Sequence, residues 1–297
     1  MIIKSHDLQP LIRIKLMSQF SSRISVFIFF ATVMFTGNVN AQYYYKDILS
    51  TIKENNEFSI LKTDNIKFIK INSFDEHDKP SEGFFCEKRI NKNYSQSKLS
   101  TNSNITGESL LLTDYNGNGD VIKTITTTPH STNTVEYNYD AEGKIILIKT
   151  STSADGDSNE ITETHEYTYE NGKPVKMLRK KNNFLISTIT FVVDEKGNIV
   201  EEDPSGKSID KKYFYYYDDS NRLTDVVHYN PIAERLLPDY MFEYTTGNKP
   251  DKIISVDETG RNYFIWRYAY DDKKLPEIQK CYSKEKQLLG TIQYEYQ

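Results

Sequence analysis

Cysteine is nearly absent: the 297 residues hold two, Cys86 and Cys281. That is too few for the disulfide framework of a small secreted scaffold. Tryptophan occurs once, and glycine and proline number only 13 and 9. Collagen-like and low-complexity chains are thereby excluded. There is no cationic excess, with 37 lysines and arginines against 42 acids and a formal charge of −5, so nothing in the balance calls for nucleic acid. The longest apolar run, Ile24 to Phe35, has 12 residues, too short for a stable membrane-spanning helix. Mean hydropathy is −0.62, which excludes a polytopic helical membrane protein. Motifs are missing as well: no H-E-x-x-H, G-x-S-x-G, phosphate loop or dinucleotide fingerprint occurs. What the chain has in abundance is aromatic side chains, 22 Tyr and 15 Phe, and a disordered chain would be poor in them.

The apolar run is preceded by Arg23 and followed by Val39-Asn40-Ala41. A charged start, a short apolar stretch and a small-residue cleavage site predict a secretory signal peptide over 1–41. The competing reading is an N-terminal membrane anchor, against which the short run and the cleavage site speak. Met17 offers a second start that would shorten the leader. Removing 1–41 takes away four cations and one acid and leaves 256 residues with a charge of −8. Such a chain is expected to be exported, to the periplasm, outer surface or extracellular space. It is not expected to seek an anionic membrane, and its only predicted membrane contact is the leader during export.

Aromatic-x-aromatic pairs recur along the rest of the chain, with Phe191/Val193 a degenerate member and Tyr115 heading a weaker one. Their second positions are Tyr115, Tyr139, Tyr169, Val193, Tyr217, Tyr244, Tyr270 and Tyr296, at intervals of 24 to 30 residues. Turn residues follow each anchor up to Tyr270: NGNG, DAEG, ENG, DEKG, DDSN, TTGN and DDKK. A short apolar stretch comes next, as in Ile145 to Ile148. Each unit reads strand, tight turn, strand, longer polar loop, and the repetition predicts an all-β antiparallel meander of about eight hairpins over 109–297. Alternation places Tyr137/Tyr139, His165/Tyr167/Tyr169, Tyr213/Tyr215/Tyr217 and Trp266/Tyr268/Tyr270 on one buried face, with Glu136, Glu166, Glu243 and Arg267 on a wet one. Residues 42–108 leave the period. There YYKDILSTIKENN has helical spacing, IKFIKINSF and GFFCEKRI read as strands, and Lys92 to Gly107 as a loop or weak strand pair. A short N-terminal helix plus hairpin is expected to cap an open or curled sheet.

The segments Tyr139-Asp140-Ala141-Glu142-Gly143-Lys144-Ile145 and Tyr217-Asp218-Asp219-Ser220-Asn221-Arg222-Leu223 resemble the YD repeat, Tyr-Asp-x-x-Gly-Arg-Leu, of Rhs-like exported bacterial proteins. The Tyr-Asp pair stands at Tyr139, Tyr217 and Tyr270. The resemblance implies a β-hairpin repeat sheet, often curled into a shell, with no catalytic residues in the repeat. The longer period, the small number of units and a repeat running to Gln297 depart from the family, so toxin delivery is not expected.

Candidate chemistry is sparse. Asp114 to Asp120 (DYNGNGD) starts like a calcium loop, but position 12 is Ile125 where a bidentate acid is required, so a hairpin turn is expected. His77 among Asp75, Glu76 and Asp78 reads as a solvated turn, and no metal or other cofactor is predicted. The acid pairs Glu201/Glu202, Asp218/Asp219 and Asp271/Asp272 are assigned to turns. Cys86 and Cys281 form an allowed disulfide only if the sheet closes and brings them together; otherwise they are two thiols. Phe214, Tyr216 and Arg267 fall on the wet face and form the candidate binding surface. The expected function is a non-catalytic exported protein, structural or binding a glycan or protein at the cell envelope, with no nucleic-acid or nucleotide partner. The alternatives are a secreted hydrolase with a loop-built site and an outer-membrane β-barrel. Against the barrel stand tyrosines in the strand middles, where lipid would demand an apolar band.

Overall fold

A computed structural model describes residues 43–155, 160–206, 211–245, 247–257 and 260–297. The signal peptide assigned to 1–41 lies outside them. Among the described residues one helix, α1 (Tyr45–Thr63), is followed by 18 strands. They are β1 (Phe68–Phe74), β2 (Phe85–Ile90), β3 (Gln96–Ser103), β4 (Gly107–Tyr115), β5 (Val121–Thr128), β6 (Ser131–Tyr139), β7 (Ile145–Ala154), β8 (Glu160–Glu170) and β9 (Lys173–Lys181). The second half is β10 (Phe184–Val193), β11 (Ile199–Gly206), β12 (Tyr213–Tyr217), β13 (Leu223–Asn230), β14 (Arg235–Glu243), β15 (Lys252–Val256), β16 (Tyr263–Tyr270), β17 (Pro276–Tyr282) and β18 (Leu288–Tyr296).

Every strand pairs antiparallel with its sequence neighbours, and β1 pairs with both β2 and β18. The meander is as the repeat predicts, but the sheet is not open or curled. It closes into an 18-stranded barrel. Residues assigned to a separate cap supply the missing wall: β1 joins β18 from Ile69↔Tyr296 to Phe74↔Thr291, and the polar stretch after Lys92 forms β3. The boundary drawn at residue 108 falls inside β4. Closure pairs the backbone N–H and C=O groups that two free edges would expose.

The repeat residues have distinct tasks at one end of the barrel. The anchor tyrosines stand where the register shifts by one residue, as at Asn138/Tyr139 and Tyr216/Tyr217. Each such bulge leads into a tight turn. The Asp after the tyrosine closes that turn: Asp140 Oδ1 accepts from the backbone N–H of Glu142 and Lys144, both 2.9 Å. Asp218 does the same for Ser220 and Arg222. Gly143 takes the positive φ of 80° that the turn requires. The tyrosine hydroxyl reaches to the neighbouring turn. Tyr139 donates to the Val121 carbonyl (2.6 Å), Tyr169 to Ile145 (2.8 Å), Tyr217 to Ile199 (2.8 Å) and Tyr244 to Leu223 (2.8 Å). Tyr270 and Tyr296 repeat the bond to Pro250 and Pro276. The row of tyrosines thus ties successive hairpins together at one mouth.

The aromatic face points inward. Tyr167, Met177, Ile189, Phe191, Tyr213, Tyr215 and Val226 are buried in one cluster, and Ile69, Tyr115, Val121 and Ile292 in another. α1, about 28 Å long at its 19 residues, crosses the interior between them. Tyr43 packs edge-on against Tyr215 and Tyr240 at its start. Phe58 stacks on Tyr115 near its end, ring centroids 3.4 Å apart. The helix therefore plugs the barrel from within and does not cap the end of a sheet. The outer face carries charged pairs, as in Lys123–Glu136–Lys149 across β5 to β7 (3.6 and 3.8 Å) and Lys180–Glu166 (2.7 Å).

Candidate functional site

The densest polar grouping lies where the start of α1 meets β8, β9 and β11. The helix begins without a side-chain cap of its own, which leaves its first N–H groups in need of acceptors. Glu202 of β11 supplies them. Its carboxylate accepts from Tyr44 N–H and Tyr45 N–H at 2.9 Å and from the Tyr215 hydroxyl at 2.8 Å. Glu202 has no exposed surface. Burial pushes its carboxyl up to about 7, against the pull of these three donors, with Asp47 adding to the rise.

One helical turn on, Asp47 Oδ2 faces His165 Nδ1 at 2.6 Å and accepts from the Tyr167 hydroxyl at 2.9 Å. The other ring nitrogen of His165 faces Glu163 Oε1 at 3.0 Å. Glu163 is clasped in turn by Arg179 through Nε (3.0 Å) and Nη2 (3.1 Å). With a carboxylate at each nitrogen, both must donate, so the ring is an imidazolium. Burial works against that charge, but Asp47 and Glu163 outweigh it and raise His165 to about 9. Burial likewise opposes the charge on Glu163, but His165 and Arg179 hold its carboxyl down at about 2.

A smaller cluster fixes the middle of the helix. Glu54 accepts from Lys88 Nζ (3.3 Å) and from the Tyr115 hydroxyl (3.5 Å), which also meets Ser97 Oγ (3.1 Å). The Lys88 charge holds the Glu54 carboxyl down. Asn55 bonds Asp120 (3.2 Å) and accepts from Val121 N–H (3.0 Å). Chemically these groups pair charges across the plug and the wall. A histidine locked as a cation between two carboxylates cannot act as a base near neutral pH.

The residues singled out in the sequence behave differently. Phe214 and Tyr216 lie on the outer face of β12 and Arg267 on that of β16. Four strand spacings separate them, about 19 Å, so the structure does not bring them together. Phe214 is overlain by Lys212 Nζ, 5.4 Å from its ring centre, while Tyr216 is exposed. Cys86 and Cys281 are both free and buried. The sheet closes, yet β2 and β17 stand three spacings apart, about 14 Å, so closure does not make the bridge. Burial pushes both thiols up to about 12. The Asp114–Asp120 loop is a hairpin turn in which Asn116 Oδ1 accepts from Asn118 and Asp120 N–H. Asp75, Glu76 and His77 stand close enough to share an ion, but Asp75 is occupied by the N–H groups of His77 and Lys79 as in the other turns. Glu202 corrects the sequence reading: it sits inside β11 opposite Phe191 and Tyr213, not in a turn. Strand parity could have placed it on the aromatic face.

No known protein family and no curated protein matches the sequence. Among solved structures the chain is similar to a porin-like protein from Bacteroides uniformis, at 10% identity and TM-score 0.38, over 78% of this chain and 96% of that one. A porin-like protein from Bacteroides vulgatus aligns at 10% identity and TM-score 0.27, over 77% and 97%. TcdB2-TccC3 without its hypervariable C-terminal region aligns at 9% identity and TM-score 0.25, over 69% of this chain and 12% of that one. These likenesses are distant and carry no function across.

Proposed function

We propose that the protein is an exported, non-catalytic, plugged β-barrel that works in water at the bacterial cell envelope, in a structural role or in binding a glycan or protein. The observation that supports this most is the outer wall. Lys123 and Lys149 flank Glu136, and Arg267 and Lys280 stand opposite one another across β16 and β17. A cation at the bilayer midplane of a barrel costs about 2–4 kcal/mol, so a wall carrying several favours water. The non-catalytic reading is supported by the fixed charge on His165 and by a repeat whose Tyr and Asp serve turns and hairpin contacts. That use of Tyr139-Asp140 and Tyr217-Asp218 also agrees with the resemblance to YD repeats.

A second reading is the outer-membrane barrel, and closure favours it. An even number of antiparallel strands in an up-and-down ring is the architecture of bacterial outer-membrane barrels. The closed barrel fits this alternative better than the open repeat sheet first expected. Expression of the full chain followed by fractionation separates the two. A water-facing wall predicts release by osmotic shock or into the medium, and a single species in buffer without detergent. Recovery only from detergent-extracted outer membrane would overturn it in favour of the second reading.

A further inference from the structure

The outer wall has two unlike halves. On β6 to β8 the outward positions beyond the charged ladder are hydroxyls: Thr134, Ser151 and Thr162 stand side by side, with Thr132 beside Ser153. On β12 to β17 the same face is apolar. Met241, Ile254, Ile265 and Tyr282 form one unbroken cross-strand row. Phe214, Val227 and Pro238 form a second row beside it. Tyr229, Leu236 and Tyr263, at the border away from the tyrosine row, are 43%, 41% and 38% exposed. Within each row these side chains are ladder neighbours, about 5 Å apart. They make one continuous patch, which surface residues scattered singly do not.

The charges on this face are divided by sign. Asp225 and Glu243 stand outward on β13 and β14, and Lys252, Arg267 and Lys280 on β15 to β17. Glu243 and Lys252 pair at 2.5 Å. Among the described residues Arg267 and Lys280 pair with no acid, and Asp225 with no cation. Arg267 and Lys280 instead stand opposite one another as like charges, which is destabilising. The borders of the face mix both signs. Lys212 is tied to Glu201 and Asp203, Lys284 reaches Glu285, Glu234 adjoins Arg235, and Arg261 N–H donates to Asp257.

We propose that this face binds the same face of a second copy of the chain, in a dimer whose two-fold axis runs along the strands between β14 and β15. Such an axis lays β14 on β15 of the second copy, β13 on β16 and β12 on β17. Met241 then packs on Ile254, and Tyr216 on Tyr282. Asp225 meets the position of Ile265, and Arg267 lies one side-chain repeat from there, about 7 Å, within the span of its side chain. The unpaired acid and the unpaired arginine thus find each other twice, once on each side of the axis. An acidic side and a basic side on one patch make it complementary to itself, as an isologous contact requires. The face is about 24 Å wide over five strand spacings and about 20 Å tall over three side-chain repeats. That flat footprint of roughly 500 Å² rises with the relief of its side chains towards the roughly 800 Å² per partner of a stable contact. This pairing rests on the reading of the wall as water-facing and gives that reading a partner.

Light scattering of the full chain in detergent-free buffer, followed through a dilution series, tests the dimer. The parent is expected to have twice the mass of one chain. Arg267→Glu and Asp225→Lys are each expected to weaken the dimer by about tenfold or more, because each sets like charges against one another. The combined variant is expected to return close to the parent, since the pair re-forms with its signs exchanged. Ile254→Arg, beside the axis, is expected to give monomers, and Thr162→Glu, on the hydroxyl half, to leave the dimer intact. All of these side chains face outward, so circular dichroism is expected to be unchanged. A parent that is monomeric at its highest soluble concentration overturns the inference and leaves the water-facing wall standing. So does a dimer that the single charge variants leave as tight, or that the combined variant fails to recover. A chain that stays in solution only with detergent overturns both.

Discussion

Replacing Glu202 by Gln tests how the plug is held. The wild-type carboxyl titrates at about 7, above the ordinary glutamate value of 4.5, because it is buried. Between those values the native state keeps a proton that the unfolded chain gives up, so stability falls as pH rises from 4.5 to 7. The span corresponds to about 3 kcal/mol at 1.36 kcal/mol per pH unit. His165 adds a loss of the same sign at higher pH: its native value of about 9 exceeds the ordinary 6.5, so its stabilisation is complete below 6.5 and gone above 9. Glu163, held at about 2, contributes above 4.5 and is lost only as pH falls towards 2. The protein is therefore expected to be most stable near pH 4.5 to 5. In Glu202→Gln the first loss disappears and the His165 loss remains, so the difference between the two curves isolates one group. Groups facing the Glu202 carboxylate are Tyr44 and Tyr45 N–H, Tyr215 and the charge of Asp47. The assay is thermal unfolding followed through Trp266, the single tryptophan, which is buried. Relative to the variant, the wild type should lose roughly 6–12 °C of Tm between pH 5 and pH 8. Parallel Tm–pH curves for the two proteins would refute the reasoning.

Tyr139→Phe removes the hydroxyl that donates to the Val121 carbonyl and should cost about 1 kcal/mol, read as a lower Tm with unchanged circular dichroism. Lys274 occupies the turn position with a φ of 65° that Gly143 fills in its own repeat. Lys274→Gly should therefore stabilise by about 1 kcal/mol, and a lower Tm would show that the Lys274 side chain contributes more than its backbone strain.

The periodic aromatics of the sequence determined much of this protein. The spacing of Tyr139, Tyr169, Tyr217 and Tyr270 and their turn residues specified the hairpins, because bulge, tight turn and alternating faces are local properties of a strand. Parity placed Tyr167, Tyr213 and Tyr215 inside for the same reason. The site was far less legible. Glu202, Asp47, His165, Glu163 and Arg179 come from α1, β8, β9 and β11, and no local pattern says that a helix will cross the barrel to meet three strands. Glu202 looked like one acid of a turn pair until its place opposite Phe191 was known. Phe214, Tyr216 and Arg267 share a face but not a place, since parity gives direction and says nothing of distance around a ring. Closure was likewise beyond local reading. It depends on β1 finding β18, more than 200 residues away, and on 18 strands accumulating enough curvature for their edges to meet. Only the tertiary structure decided that, and with it what fills the barrel, which thiols stay apart and which charges are buried, because long-range pairing is set by the sum of all strand geometries and by no single repeat.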